Sequence, residues 1–180
     1  PDQMTISVPV DGLSVQTLHN LILMLYSKQY LLGKALKEKT IQVDDAVIER
    51  LQQTVPETPA DFKALVDDFR ARGQITGVGF TNEAVSLSFP LSDKQDVIHV
   101  YTLLTVNLIA AAKAATRVLP DLQQPENEKY YMRNWLVRLG FGGKESKGLR
   151  SLLLKHLKGH SAFRTDAEAE KHRDKYAEIR

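Results

Sequence analysis

Gly140-Phe141-Gly142-Gly143-Lys144-Glu145-Ser146 is the stretch of this chain nearest in composition to a phosphate-binding loop. A P-loop follows a strand, and its hydroxyl residue stands directly after the lysine, where it reaches magnesium. Here Glu145 holds that place and the upstream residues read as a helix, so the nucleotide reading is rejected. The consecutive glycine amides still have the makings of a small anion nest beside Lys144. His156 and His160 are four apart, the spacing at which one helix can grip a metal, but Gly159 lies between them and no third ligand is near in sequence. His156 is expected in a core or cap role, and His160 in a loop or facing phosphate. Asp44-Asp45 and Asp67-Asp68 offer paired carboxylates for acid/base or metal chemistry. Their flanks read instead as a helix N-terminus and as a solvated helix edge beside Arg70 and Arg72.

The chain has no cysteine, which removes disulfides and thiolate chemistry and favours a reducing compartment. No serine stands in a nucleophile elbow. No enzyme activity, cofactor or metal is therefore expected. The longest apolar stretch, Val97 to Ala112, is interrupted by His99, Tyr101, Thr102, Thr105 and Asn107 and falls short of a span of about 20 residues. With no signal peptide in view, the expected setting is the cytoplasm, with no membrane partner and no identifiable small-molecule substrate.

Charge is where the chain becomes informative. The net value of +2 over 180 residues conceals a segregated distribution. Lys129 to Arg164 holds nine Lys/Arg and one acid, Glu145, a local charge of +8; residues 1–128 sum to −5 and residues 165–180 to −1. Separation of sign is what a surface aimed at a polyanion requires.

The elements that would position those cations are two short helices. Met132, Trp135, Leu136 and Leu139 recur at helical spacing over about 128–139, with Arg133 and Arg138 flanking the stripe. Gly140, Gly142 and Gly143 end that helix and allow a reversal. Ser146 is placed to cap a second helix whose Leu149, Leu152, Leu153, His156 and Leu157 share a face and whose stop is Gly159. Its opposite face carries Lys147, Ser151, Lys155 and Lys158, with Arg150 to one side. The pattern is that of a helix-turn-helix reader, although the connection from Gly140 to Glu145 is longer than the tight motif allows and Gly148 weakens the second helix. Two functions remain open: contact with nucleic acid, and an ordinary solvated or protein-binding face. Under the first, Lys147, Arg150, Lys155 and Lys158 contact phosphate, and Arg133, Arg138, Lys144 and Arg164 broaden the footprint.

The rest of the chain reads as an α+β body. Thr5 to Val10 alternates as a strand; Ser14 caps a long helix with Gly33 as a candidate break; Thr40 to Val43 is an extended link. Asp44 and Thr58 open two further helices, the latter with Pro59 at its first position. Ile75 to Thr81 and Ala84 to Phe89 form a hairpin, in which Gly77 and Gly79 mark a bulge or a close approach. Ser92 with Gln95 reads as a capping box opening a helix from about Asp93 to Val118, apolar over most of its circumference and expected to be the buried centre of the fold. A final helix is expected from Thr165. The predicted fold class is α+β, mostly helical, with a small antiparallel sheet of about three strands packed on a long buried helix, plus a C-terminal helical hairpin. The predicted organisation is a body over 1–119 with a central helix, a linker over 120–128 and a basic helical module over 129–180.

Two segments also carry a resemblance. Asn20-Leu21-Ile22 through Leu25-Tyr26-Ser27-Lys28, with Leu31-Leu32-Gly33-Lys34-Ala35, resembles the first-helix signature of uncharacterised proteins labelled virulence-related, encoded on conjugative elements and prophages of Gram-positive bacteria. Asn127-Glu128-Lys129-Tyr130 through Trp135-Leu136-Val137-Arg138-Leu139-Gly140, and Leu153 through Arg164, is similar to that family's most distinctive segment. The resemblance implies a mobile-element setting and no catalytic residues. It favours nucleic acid, DNA ahead of RNA, as the partner. The alternative is a protein-interaction or scaffold role as a homodimer, through the long alanine-rich helix or the C-terminal helix.

Overall fold

The computed structural model describes residues 2–81 and 83–162, together with 171 and 173. Of the helix expected from Thr165 only Lys171 and Arg173 are described, and Arg164 and Asn82 in the hairpin turn lie outside the described residues. The chain divides after Leu122 into two units. Asn127 and Glu128, expected in a linker, are both buried and belong to the second unit.

The first unit is built around α1 (Val15–Leu36), whose N-cap is Ser14, with its hydroxyl accepting from the Thr17 N–H. Apolar side chains recur on every side of α1, and Leu18, Leu21, Ile22, Leu23, Leu25, Leu31 and Leu32 are buried. Each fully buried leucine contributes about 2 kcal/mol. That outweighs the cost of about 1 kcal/mol for a glycine within a helix, so α1 runs through Gly33 and ends only where Lys37 turns left-handed (φ 62°). The centre of the fold is thus α1 and not the later long helix.

β1 (Gln3–Pro9) starts earlier than the expected strand. The extended link contains β2 (Gln42–Val43), and α2 (Asp45–Gln53) and α3 (Pro59–Ala71) follow with Asp44 and Thr58 as side-chain caps, as their sequences predict. The expected strand over 75–81 is two strands, β3 (Ile75–Thr76) and β4 (Val78–Phe80), broken at Gly77. Gly77 has φ 75°, and a Cβ there would overlap the Thr40 carbonyl oxygen, so the backbones of two connections meet at a position only glycine can fill. β3 pairs with β2, and β4 joins β5 (Ala84–Pro90) in the sheet β1-β5-β4, antiparallel throughout. Ile6 opposes Leu87, which also opposes Val78, and these with Phe80, Val85 and Phe89 make the buried face. The free side of Val43 is closed by a side chain: Gln29 accepts from the Val43 N–H (2.7 Å) and donates to its carbonyl (3.1 Å), standing in for a missing strand.

α4 (Gln95–Ala114) is shorter than expected at both ends. Ser92 accepts from the Lys94 N–H instead of capping the helix, so the capping box does not form. At the other end the buried Asn20 donates to the carbonyls of Ala112 (3.0 Å) and Ala115 (2.9 Å), which satisfies the last turn and fixes where α4 stops. The sheet packs on α4, with Phe89 stacked on Tyr101 at a centroid distance of 4.4 Å. α4 is long and apolar enough to cross a membrane (20 residues, mean hydropathy 1.5), but its buried stripe, Tyr101, Leu104, Leu108, Ile109 and Ala112, packs on α1 and β1. Its remaining face is not covered within the unit: Val106 is 41% exposed, so the helix is buried on one side and not on several.

Candidate nucleic-acid interface

The second unit is a hairpin of α5 (Glu128–Arg138) and α6 (Lys147–Leu154), joined through a single 3₁₀ turn at Lys144–Ser146. Met132, Trp135, Leu136 and Leu139 from the first helix, and Leu149 and Leu153 from the second with Leu157 beyond it, are buried, as their spacing requires. α6 ends at Leu154, short of the stop expected at Gly159. Lys158 consequently stands off the helix, and His156 is exposed in the turn after it, not in the core or a cap. Ser146 makes no side-chain cap.

Two sets of hydrogen bonds close the hairpin. At the open end the chain returns past Leu157 to the start of α5: the Lys129 N–H donates to the Lys158 carbonyl (2.9 Å) and the Lys158 N–H to Glu128 Oε1 (3.1 Å). Asn127 Oδ1 accepts both the Tyr130 N–H, as the α5 cap, and the His160 N–H (2.9 Å). Gly159 takes φ 101° and lies so close that any Cβ would overlap Asn127 Oδ1. At the looped end Arg150 Nη1 donates to the carbonyls of Phe141 (2.8 Å) and Gly143 (2.7 Å). Nη1 carries two hydrogens and both are used, which leaves the rest of the guanidinium for other partners.

Between these closures lies a concavity of about 580 Å³ lined by Lys129, Arg133, Lys147, Arg150, Ser151, Leu154, Lys155 and Ser161. Five cations and two hydroxyls line it, and no carboxylate does. Arg70 pairs with Asp67 and Arg72 with Asp68, and none of these five cations is paired with a described acid. The acids nearest in sequence are engaged elsewhere. Glu128 is buried at 2% exposure and accepts from the Lys158 N–H, and the Glu145 carboxylate lies against Gly143.

Of the predicted site residues, Arg133, Lys147, Arg150 and Lys155 come together on this surface. Arg138, Lys144 and Lys158 are exposed but do not line it, and Arg164 lies outside the described residues. Arg150, expected only as a phosphate contact, holds the loop. Lys129 reads in the sequence only as the edge of the basic stretch, yet its spacing of four from Arg133 on α5 places both on one helix face. Nothing in the local sequence marks Ser161, which arrives through the left-handed turn at Gly159.

The other candidates resolve as structure. Asp44 caps α2, accepting from the Ala46 N–H (2.9 Å). Asp45 accepts from the Tyr26 hydroxyl (2.6 Å), and this bond, with burial and neighbouring acids, pushes the phenol up to about 12. Asp67 and Asp68 pair along α3 with Arg70 and Arg72. No group of three His, Asp or Glu able to hold a metal occurs among the described residues. A smaller pocket of about 260 Å³ in the first unit is lined by Gln16, His19, Asn20, Leu23 and Arg117 among others, and burial lowers the His19 pKa. Compared with family models, curated proteins and solved structures, the chain matches none.

Proposed function

We propose that the second unit binds nucleic acid, DNA ahead of RNA, through the concavity between α5 and α6, and that the protein is a non-catalytic accessory factor. The mobile-element or prophage setting rests on the resemblance of its two ends to virulence-related proteins. One observation carries the binding reading: Lys129, Arg133, Lys147, Arg150 and Lys155 line a single surface that holds no carboxylate and forms no ion pair with a described residue. Unneutralised cations brought together on one face repel one another, a cost that a polyanion removes. Lysine ammonium groups and the free part of the Arg150 guanidinium suit phosphate oxygens, while Ser151 and Ser161 add neutral donors. The lining has no Asn, Gln, Asp or Glu to read adenine or cytosine, and its lysines and arginines serve backbone phosphates whatever the base, so the contact is chiefly one of backbone charge.

The test is a salt titration of duplex DNA binding. Five phosphate contacts give a slope of log K against log salt of about −4.5, and a loss of two to three orders of magnitude in affinity between roughly 50 and 200 mM salt. Replacing Lys129, Lys147 and Lys155 together by glutamate abolishes binding at the lower salt. A flat salt dependence, or equal binding by the triple variant, overturns the reading. Binding of an acidic protein in place of DNA at the same residues would reassign the partner.

A further inference from the structure

β1 is an edge strand whose outer side is open among the described residues. The Val10 N–H donates to the Glu83 carbonyl (2.7 Å), and the Asp2 carbonyl accepts from the Leu91 N–H (3.2 Å), so even-numbered residues from Asp2 to Val10 aim their peptide groups at β5. Alternate residues of a strand aim the other way. Gln3, Thr5, Ser7 and Pro9 therefore direct theirs outward, and no described residue hydrogen-bonds them there. Natural edges are guarded by charge, by a central proline, by a bulge or by a covering element. The segment Gln-Met-Thr-Ile-Ser-Val-Pro has no charge and keeps its proline at the end. The opposite edge, β4, is only three residues long and lies against α3, and the edge at Val43 is closed by Gln29.

We propose that β1 pairs antiparallel with β1 of a second copy of this chain about a two-fold axis at Thr5, merging the two three-stranded sheets into one. The strand is self-complementary in that register. Thr5 opposes Thr5 of the second copy and Gln3 opposes its Ser7, so every outward N–H meets an outward carbonyl, and Pro9, which cannot donate, falls beyond the paired stretch. The faces stay in phase as well, because Ile6 opposes Met4 of the second copy on the apolar side. Met4 is only half-buried beside buried Ile6, since the apolar face runs out at β1, and Ile6 of the second copy extends it there, while the exposed Asp2 falls at the end of the pairing, opposite Val8. On the other face lie the hydroxyls of Thr5 and Ser7, the latter bonded to Ser86 (2.7 Å). No charge opposes its like across the axis. This interface is not the α4 or C-terminal surface expected from the sequence. It does not rest on the nucleic-acid reading, though a dimer would carry two basic concavities and hold a polyanion by both.

Sedimentation equilibrium on the full chain tests the pairing. A monomer–dimer equilibrium is expected, and a monomer up to roughly 1 mM overturns the proposal. Thr5→Pro removes an outward N–H without touching the ladder to β5, and is expected to shift the protein to monomer with an unchanged far-ultraviolet spectrum; a dimer that survives it overturns the proposal. Because the Thr5 side chain is exposed, Thr5→Lys and Thr5→Glu fold normally and each weakens self-association at least tenfold through like charge across the axis. Mixing the two variants restores the dimer, since the axis sets Lys against Glu. A mixture no more dimeric than either variant alone overturns the pairing at Thr5.

Discussion

Asn127 accepts the backbone N–H of His160 at 2.9 Å, thirty-three positions further along the chain, with the same oxygen that caps α5. One side chain thus starts a helix and fastens the returning chain. Asn127→Ala removes both bonds and is expected to destabilise the second unit by about 2 kcal/mol. Gly159→Ala should cost more, because the left-handed backbone and the overlap with Asn127 act together. Hydrogen exchange of the α5 and α6 amides checks both, with the Gly159 variant exchanging faster.

Arg150 and Lys147 are separable by their effects. Lys147→Glu leaves the thermal melt within about 0.5 kcal/mol of the parent, as for an exposed surface residue, while DNA affinity falls. Arg150→Gln frees two loop carbonyls and destabilises the hairpin by about 2 kcal/mol. Measuring melting and DNA binding on the same preparations distinguishes them; equal stability of the two variants would show that the loop does not depend on Arg150.

Two glycines should respond in opposite directions. A Cβ at Gly148 meets nothing within 4 Å and the residue is helical, so Gly148→Ala is expected to stabilise by about 0.5–1 kcal/mol. Gly77→Ala forces a side chain onto the Thr40 carbonyl at positive φ and should destabilise by on the order of 3 kcal/mol. Urea midpoints of the two variants read the sign directly.

Burial lowers the His19 pKa below its ordinary 6.5, with the ring lying beside Phe62 at a centroid distance of 6.3 Å. The unfolded chain then binds the proton more readily than the folded one. The His19 contribution is complete above pH 6.5 and is lost as pH falls from there towards the folded value. Denaturant midpoints across that range should decline, and His19→Gln should flatten the decline.

Tyr26 behaves in the opposite sense. Its phenol is pushed up to about 12, first by the bond to Asp45, so the folded state holds its proton more tightly than the unfolded one. This contribution is present below pH 10 and disappears as pH rises from 10 to about 12. Tyr26→Phe should lose about 2 kcal/mol at neutral pH and remove that part of the alkaline loss, which unfolding midpoints at about pH 7 and 10.5 would register.

The α+β class, the caps at Asp44 and Thr58, the leucine seam of the hairpin and four of the cations on the concavity are legible from residue type and period. Composition misplaces the centre of the fold, because α4 is apolar by content whereas burial follows packing, and α1 meets neighbours on more sides. Gly77 carries a visible signal, but what it approaches is the Thr40 carbonyl, and contacts between segments far apart in sequence leave no periodic trace. The same holds for Asn20 at the end of α4 and Gln29 beside β2, whose amides serve backbones 92 and 14 residues away. Period also assigns Lys158 to a helix it does not belong to, because the leucine spacing outlasts α6, which stops at Leu154.

The basic concavity draws its walls from α5, from α6 and from Ser161 beyond the Gly159 turn. It therefore exists only while all three are assembled, and unfolding the hairpin scatters its charges. Occupancy and integrity of this unit are then one thermodynamic quantity: an anion held there acts as a brace, and the unit should melt later in its presence by an amount that grows with the logarithm of anion concentration.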